Sequence, residues 1–445
     1  MKDIKKFGIR IVAVFAIGIL GLMAFSGGIE PLVYYAYEGP VFPLTAVADT
    51  KGITVERMLE LDFTSYENTI PGETMVPFNE ARKVDVNDIY VLNNSTAEDV
   101  TVELVYPFVY SLNEKKEWIP EVRIDGTVAE TQIRLGRPVS DVVNGYRGES
   151  EASAAQLSGK MNVAMFEWIA SDDTYFEEAL SGVAGASDAV VVYKFKNLGY
   201  DGSDSKAYAP NIWVSYVQSE NVEVLPANWD MSRGEETDGV RKEMIGFDLP
   251  RPGQEGYGRD GYLVVLGGDV SELTVKCYTS STGSVLEDVN IETERYETTL
   301  EEVAREIFDA GYVAEGGAAA ELLPKEQLFE VFLKGVCDSR DRLLNEVVDG
   351  DSIDNAWYYL YEEQRVMYAT FEVTIPAGES TRVHAEYEKQ ASYGVYEADE
   401  ELDRYDILPV EYSGFEIRTE AVTATGSEKV LPVEGENGVE AYLHP

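Results

Sequence analysis

The sequence predicts a mainly β protein of the α+β class: two or more antiparallel β-sandwich-like units and a helical pair, after an N-terminal transmembrane or signal helix. Three observations carry that expectation. Val100, Val102, Leu104 and Tyr106 alternate with polar Thr101 and Glu103, the period-two pattern of a strand with one buried face. Asp125-Gly126 stands between Val122, Ile124 and Val128, Ile133, the strongest short-range signal for a hairpin. In TTLEEVAREIFDAG, Thr299 and Glu302 form a capping box, and Leu300, Val303, Ala304, Ile307 and Phe308 line one face of a helix that Gly311 is expected to end.

The chain opens with an export segment, assigned to residues 1–28. Lys2, Lys5, Lys6 and Arg10 precede a run without charge from Ile11 to Ile29, and Ala24 and Ser26 stand where the small residues of a cleavage site belong. The strongly apolar stretch, Ile11 to Phe25, is also close to the length that crosses a bilayer. A cleaved signal and a retained anchor both remain open. In either case the basic residues stay cytoplasmic and Glu30, Glu38 and Asp49 are sent across, so the expected location is extracytoplasmic, membrane-anchored or secreted.

Residues 29–138 read as a first β region. The run NDIYVLNNSTAEDVTVELVYPFVYSL is two strands broken by the polar cluster Asn93 to Asp99, a hairpin or a sandwich pair. Residues 139–187 change character, with Ala, Ser, Glu and Met accumulating, and read as a helical or irregular excursion. Strands resume over residues 188–297 in AVVVYKFKN, NIWVSYV, GYLVVLG and ELTVKCYTS, with a long Gly-, Pro- and charge-rich loop expected at 226–260. Residues 298–350 hold the helical pair; its second member begins near Pro324, carries Leu328, Val331, Phe332 and Val336 on one face, and has a weak point at Gly335. Residues 351–445 form a C-terminal β region and tail, in which Phe371, Val373 and Ile375, a turn at Pro376 to Glu379, and Val383, Ala385 and Tyr387 read as a hairpin.

Composition excludes some functions. Among 445 residues, 81 Asp and Glu face 36 Lys and Arg, a formal charge of −45. Such a chain repels phosphate backbones, so nucleic acid is not an expected partner. Two histidines, His384 and His444, leave no basis for a histidine zinc site or a Ser-His-Asp triad. Nucleotide-binding loops and nucleophile elbows are absent from the sequence. Ser203-Asp204-Ser205-Lys206 satisfies S-x-x-K but reads as a turn. Cys277 and Cys337 fall in a strand-like and a helix-like stretch and are expected as unpaired, partly buried thiols.

Two features remain as candidate sites. Asp349, Asp351 and Asp354 in DGDSIDN, and Asp201 and Asp204 in DGSDS, could converge on a calcium ion, although neither stretch has EF-hand spacing and turn chemistry explains both. Calcium is therefore a weak expectation and no other cofactor is implied. The aromatic run Asn355 to Tyr361 offers Trp357, Tyr359 and Tyr361 as a contact patch, provided they share a solvent-facing strand surface.

The pattern of a strand, IPAGES, a strand and an aromatic near the C-terminus, with a polar-interrupted strand pair ending in YPF near the N-terminus, resembles that of uncharacterised bacterial extracytoplasmic β-sandwich (immunoglobulin-like) surface proteins. The resemblance covers two short regions; it implies surface exposure and supplies no catalytic residues. The expected function is a non-enzymatic binding or structural module at the cell envelope, held to the membrane by the N-terminal segment, with an envelope protein or glycan as partner. An accessory subunit of a membrane or secretion complex and a secreted carboxylate-based glycoside hydrolase are the alternatives.

Overall fold

The computed structural model describes residues 39–66, 83–138, 183–202, 210–315, 322–343, 353–434 and 440–444, less a few positions within those spans. The expected N-terminal helix and nearly all of the excursion at 139–187 lie outside the described residues. The chain is mainly β, as the alternation predicts. It divides into two compact units: Met1–Phe176 with Gln364–Pro445, and Glu177–Glu363. Among the described residues, no helix is long and apolar enough to cross a membrane.

The first unit begins with β1 (Thr45–Ala46), β2 (Ile53–Asp62), β3 (Lys83–Asn94), β4 (Val100–Tyr110), β5 (Glu121–Ile124), β6 (Thr127–Val128) and β7 (Gln132–Pro138). The second unit supplies β8 (Ala189–Leu198), β9 (Asn211–Gln218), β10 (Glu223–Ala227), β11 (Met231–Thr237), β12 (Val240–Asp248), β13 (Arg259–Leu266), β14 (Ser271–Tyr278) and β15 (Thr293–Thr299). Its helices are α1 (Leu300–Glu315), α2 (Lys325–Leu343) and α3 (Asn355–Tyr361). The first unit resumes with β16 (Arg365–Ile375), β17 (Ser380–Gln390), β18 (Tyr393–Glu397), β19 (Glu400–Ile407), β20 (Glu416–Thr425), β21 (Leu431–Glu434) and β22 (Glu440–His444). Arg365 pairs with Pro138, so the chain leaves and rejoins this unit at adjacent points of one sheet.

In the first unit a sheet ordered β1-β4-β16-β7 faces one ordered β20-β2-β3-β17-β5-β6, and a third sheet is ordered β18-β19-β22-β21. Along β2 and β3 every second residue is buried, the half-buried alternation expected of such strands. The run at 87–112 is a sandwich pair, with β3 in one sheet and β4 in the other. Asp125 and Gly126 both take positive φ (48° and 81°), as a two-residue hairpin turn between β5 and β6 requires. Ile133 belongs to β7 in the opposite sheet and not to that hairpin.

The C-terminal hairpin expected around IPAGES is not one. β16 already has β4 and β7 as neighbours, and β17 has β3 and β5, so neither has an edge free for the other, and the turn carries the chain between sheets. This arch is tied to the β3–β4 arch by Asn94 Nδ2, which donates to Ile375 O (3.0 Å), and by Ala377 N, which donates to Asp99 Oδ1 (2.9 Å).

In the second unit, sheets β10-β13-β8-β15 and β11-β12-β9-β14 share a core that includes Phe195, Val214, Ile245, Phe247, Leu263 and Val265. The loop expected at 226–260 is largely a hairpin, since β11 and β12 pair from Met231–Gly246 to Thr237–Val240. Among the described residues there, 228–229 and 249–258 lack strand structure. The charged residues of MSRGEET and VRKEM hid the alternation of Ile245, Phe247 and Leu249.

The glycine expected to end the first helix and the one expected to weaken the second both have another role. α1 runs through Gly311 and α2 through Gly335. A Cβ on Gly311 would collide with the Trp357 indole, and one on Gly335 would stand 2.9 Å from Tyr359 Cδ1. Each glycine is a notch that receives an aromatic ring of α3. The capping box forms as expected, with Glu302 N donating to Thr299 Oγ1 (3.3 Å) and Thr299 N to Glu302 Oε2 (3.4 Å).

Candidate functional site

Of the calcium candidates, Asp354 and Asp201 lie within the described residues. Asp354 accepts a hydrogen bond from the Asn228 backbone N–H at 2.9 Å to either carboxylate oxygen. Asp201 accepts from the Tyr257 hydroxyl. Asp204, Asp349 and Asp351 lie outside the described residues. Among the described residues no group of three or more His, Cys, Asp or Glu side chains is arranged to hold a metal ion.

The aromatic candidates lie on α3, a helix and not a strand. Tyr359 is buried, whereas Trp357 and Tyr361 are half-buried with their rings stacked 5.8 Å apart, and Trp357 also stacks on Phe308 of α1 at 5.6 Å. Tyr358, on the remaining side of the helix, is exposed. Seven residues with helical spacing explain why two of the three rings turn toward α1 and α2.

Cys277 on β14 and Cys337 on α2 are buried and form no disulfide. Burial pushes the Cys277 thiol up to about 11, which keeps it protonated and unreactive. His384, on the outward face of β17, is pushed down by desolvation and is neutral at neutral pH.

Two polar clusters absent from the sequence-based expectations dominate the electrostatics. In the first unit Arg57 of β2 and Asp88 of β3 both occupy inward positions and are fully buried. Arg57 Nε and Nη2 donate to the two Asp88 oxygens (2.9 and 2.8 Å), and Nη1 donates to Leu408 O (2.8 Å) and Glu420 Oε1 (3.0 Å). The hydroxyls of Tyr90 and Tyr106 donate to Asp88 Oδ2 (2.6 and 3.0 Å), while Leu44 N donates to the Tyr90 oxygen (2.9 Å). Tyr106 comes from the facing sheet, so the cluster joins both layers. Burial opposes the Arg57 charge, but Asp88 outweighs it and the guanidinium stays protonated. Burial raises both tyrosines well beyond their ordinary range. A buried network whose donors and acceptors meet across two layers holds structure together.

The second cluster lies where α1 covers β8 and β13. Lys194 Nζ on β8 is 2.6 Å from Glu306 Oε1 of α1 and 3.0 Å from Asp260 Oδ2 of β13. Asp260 Oδ1 accepts from the Asn197 backbone N–H (2.8 Å). Glu306 accepts from Tyr296 OH through Oε2 (2.8 Å) and from Tyr262 OH through Oε1 (3.2 Å). Burial works against the charge of Lys194, yet its bonds to Glu306 and Asp260 hold it well above the ordinary lysine value. Burial likewise favours a neutral Glu306, but Lys194 and Tyr296 outweigh it and hold the carboxyl below the usual range.

No family, no curated protein and no solved structure matches the chain. Function therefore has to be argued from these residues alone. The signal for the first cluster was present in the sequence: Arg57 interrupts Ile53, Val55, Leu59 and Leu61, and Asp88 interrupts Val84, Val86 and Leu92, each at an inward position. Lys194 similarly continues the face of Val190 and Val192. Glu306 had no such signal, since glutamate is ordinary at the margin of an amphipathic helix.

Proposed function

We propose that this chain is an exported, membrane-tethered acidic surface protein acting as a non-enzymatic binding or structural module at the cell envelope. What carries the reading is where its charge goes. Among the described residues, basic side chains pair with carboxylates of the same chain: Arg57 with Asp88, Lys83 with Glu388 (2.7 Å), Lys194 with Glu306, Arg295 with Asp269 (2.9 Å) and Arg305 with Glu326 (2.8 Å). The excess carboxylates of a chain carrying −45 are left for solvent. Such a surface suits solubility and partner selection outside a cell, and it repels anionic lipid and nucleic acid. The basic-then-apolar opening supports export, and the paired sheets support a rigid module that presents a surface to an envelope protein or glycan.

The test is expression of the intact chain in a bacterial host, followed by fractionation and determination of the N-terminus. We expect recovery in the membrane fraction, with the apolar run retained and the acidic remainder open to protease added outside the inner membrane. Full-length chain in the soluble cytoplasmic fraction would overturn the proposal.

A further inference from the structure

The geometry around Lys194 points to an internal amide cross-link, formed once after folding, between Lys194 Nζ and Asp260 Cγ. The cluster contains the parts that such acyl transfer needs. The nucleophilic nitrogen is 3.0 Å from Asp260 Oδ2, on the carboxyl group it would attack. Asp260 Oδ1 is held by the Asn197 N–H at 2.8 Å, a backbone donor placed where negative charge grows as the carbon becomes tetrahedral. Glu306 Oε1, 2.6 Å from the nitrogen, is the proton carrier, and Tyr296 at 2.8 Å fixes its orientation. The β8–β13 pairing shifts register between Arg259 and Gly261, so Asp260 stands at an irregularity beside Asn197, which has φ 53°, while Lys194 pairs regularly with Tyr262.

The step is a condensation and involves no redox change. The C–N bond forms and the Cγ–Oδ2 bond breaks. Of the three protons on the lysine ammonium, one remains on the amide nitrogen and two leave with Oδ2 as water, relayed by Glu306, which ends in its starting state. Loss of one cation and one anion keeps the charge balanced. The tight hold on the ammonium makes the free amine scarce and the reaction slow, which a bond made once per chain tolerates and a turning-over enzyme would not. The linkage would join two neighbouring strands that are separated in the chain by β9–β12.

The decisive measurement is the mass of the purified full chain, with tandem spectrometry of its proteolytic peptides. We expect a mass lower by one water and a branched peptide joining the segment of Lys194 to that of Asp260. Lys194→Arg, which preserves the ion pair and hence the fold, should restore the full mass. Glu306→Gln should slow formation at least tenfold in freshly refolded protein. Asp260-Gly261 could also lose water within its own backbone as a cyclic imide. A water loss that persists in Lys194→Arg, or that maps to a linear peptide, overturns the proposal. So does wild-type protein that keeps its full mass after prolonged incubation.

Discussion

Replacing Asp88 with alanine removes the acceptor of four hydrogen bonds at the centre of the first unit and leaves the buried Arg57 guanidinium with Glu420 as its remaining carboxylate partner. Arg57 and Asp88 are both 0% exposed, so water cannot take over either role. Arg57 would keep only Leu408 O and Glu420, and the hydroxyls of Tyr90 and Tyr106 would lose their acceptor. Breaking a buried pair by deleting one partner costs about 3–5 kcal/mol. We expect the upper half of that range, because two neutral donors are orphaned as well, at about 1 kcal/mol or more each when unsatisfied. That corresponds to a loss on the order of a thousandfold in the folding equilibrium of this unit. Removing both charges with Arg57→Met and Asp88→Leu should cost less than the single change, since no guanidinium is then left in the core with half of its partners missing. Urea titration followed by Trp118 fluorescence, with hydrogen exchange at the β3 amides, reads the effect in this unit. A single variant within about 0.5 kcal/mol of wild type, the usual scatter of surface changes, would refute the reasoning. A double variant as unstable as the single one would show that packing, and not the guanidinium's missing partners, sets the cost.

Other outcomes follow from the second unit. Gly311→Ala should destabilise it by about 1–3 kcal/mol through overpacking against Trp357, although alanine is the better helix former by about 1 kcal/mol. Gly335→Ala should do so less, because its closest contact would be 2.9 Å, to Tyr359 Cδ1, against a still closer one to the Trp357 ring at Gly311; thermal melts that rise for either variant would contradict the notch. Cys277 and Cys337 should resist a thiol reagent in the native protein and react as two thiols per chain on denaturation, and fast native labelling would show that their burial is wrong. Burial alone would raise Asp269, but hydrogen bonds from Tyr193 and Arg295 more than offset it and hold the carboxyl below its ordinary 3.8. Its contribution is therefore present above that value and lost as the pH falls through the lower folded one. The melting difference between wild type and Asp269→Asn should be full at neutral pH and vanish as the pH falls through the lowered folded value, and a difference independent of pH would exclude the ion pair as its source.

Elements whose signal is local were legible in the sequence. The alternation of β4, the Asp125-Gly126 turn and the Thr299–Glu302 box depend on a few neighbouring residues, and each forms. Choices that depend on distant partners were not. The strands around IPAGES look like a hairpin because nothing nearby reveals that β4, β7, β3 and β5 already occupy their edges. Gly311 looks like a helix stop because the indole that needs its space is Trp357, far along the chain. The run NAWYYLY favours a strand by residue type, and only its docking on α1 and α2 makes it a helix. Lys194, Asp260 and Glu306 were invisible as a set because three separate elements bring them together.

The position of the second unit within the first has a bearing on how the protein is made. β4 completes its ladder only with β16, and β3 only with β17, and both partners are synthesised after the whole intervening unit. Until then β2, β3 and β4 emerge from the ribosome with open edges and an Arg57–Asp88 pair that has no second layer to cover it. A chain in that condition is slow to close and exposed to aggregation if left in the cytoplasm. The same delay keeps the early strands extended while the chain is still threadable. A fold that cannot finish before its last fifth is made is well matched to translocation first and folding afterwards.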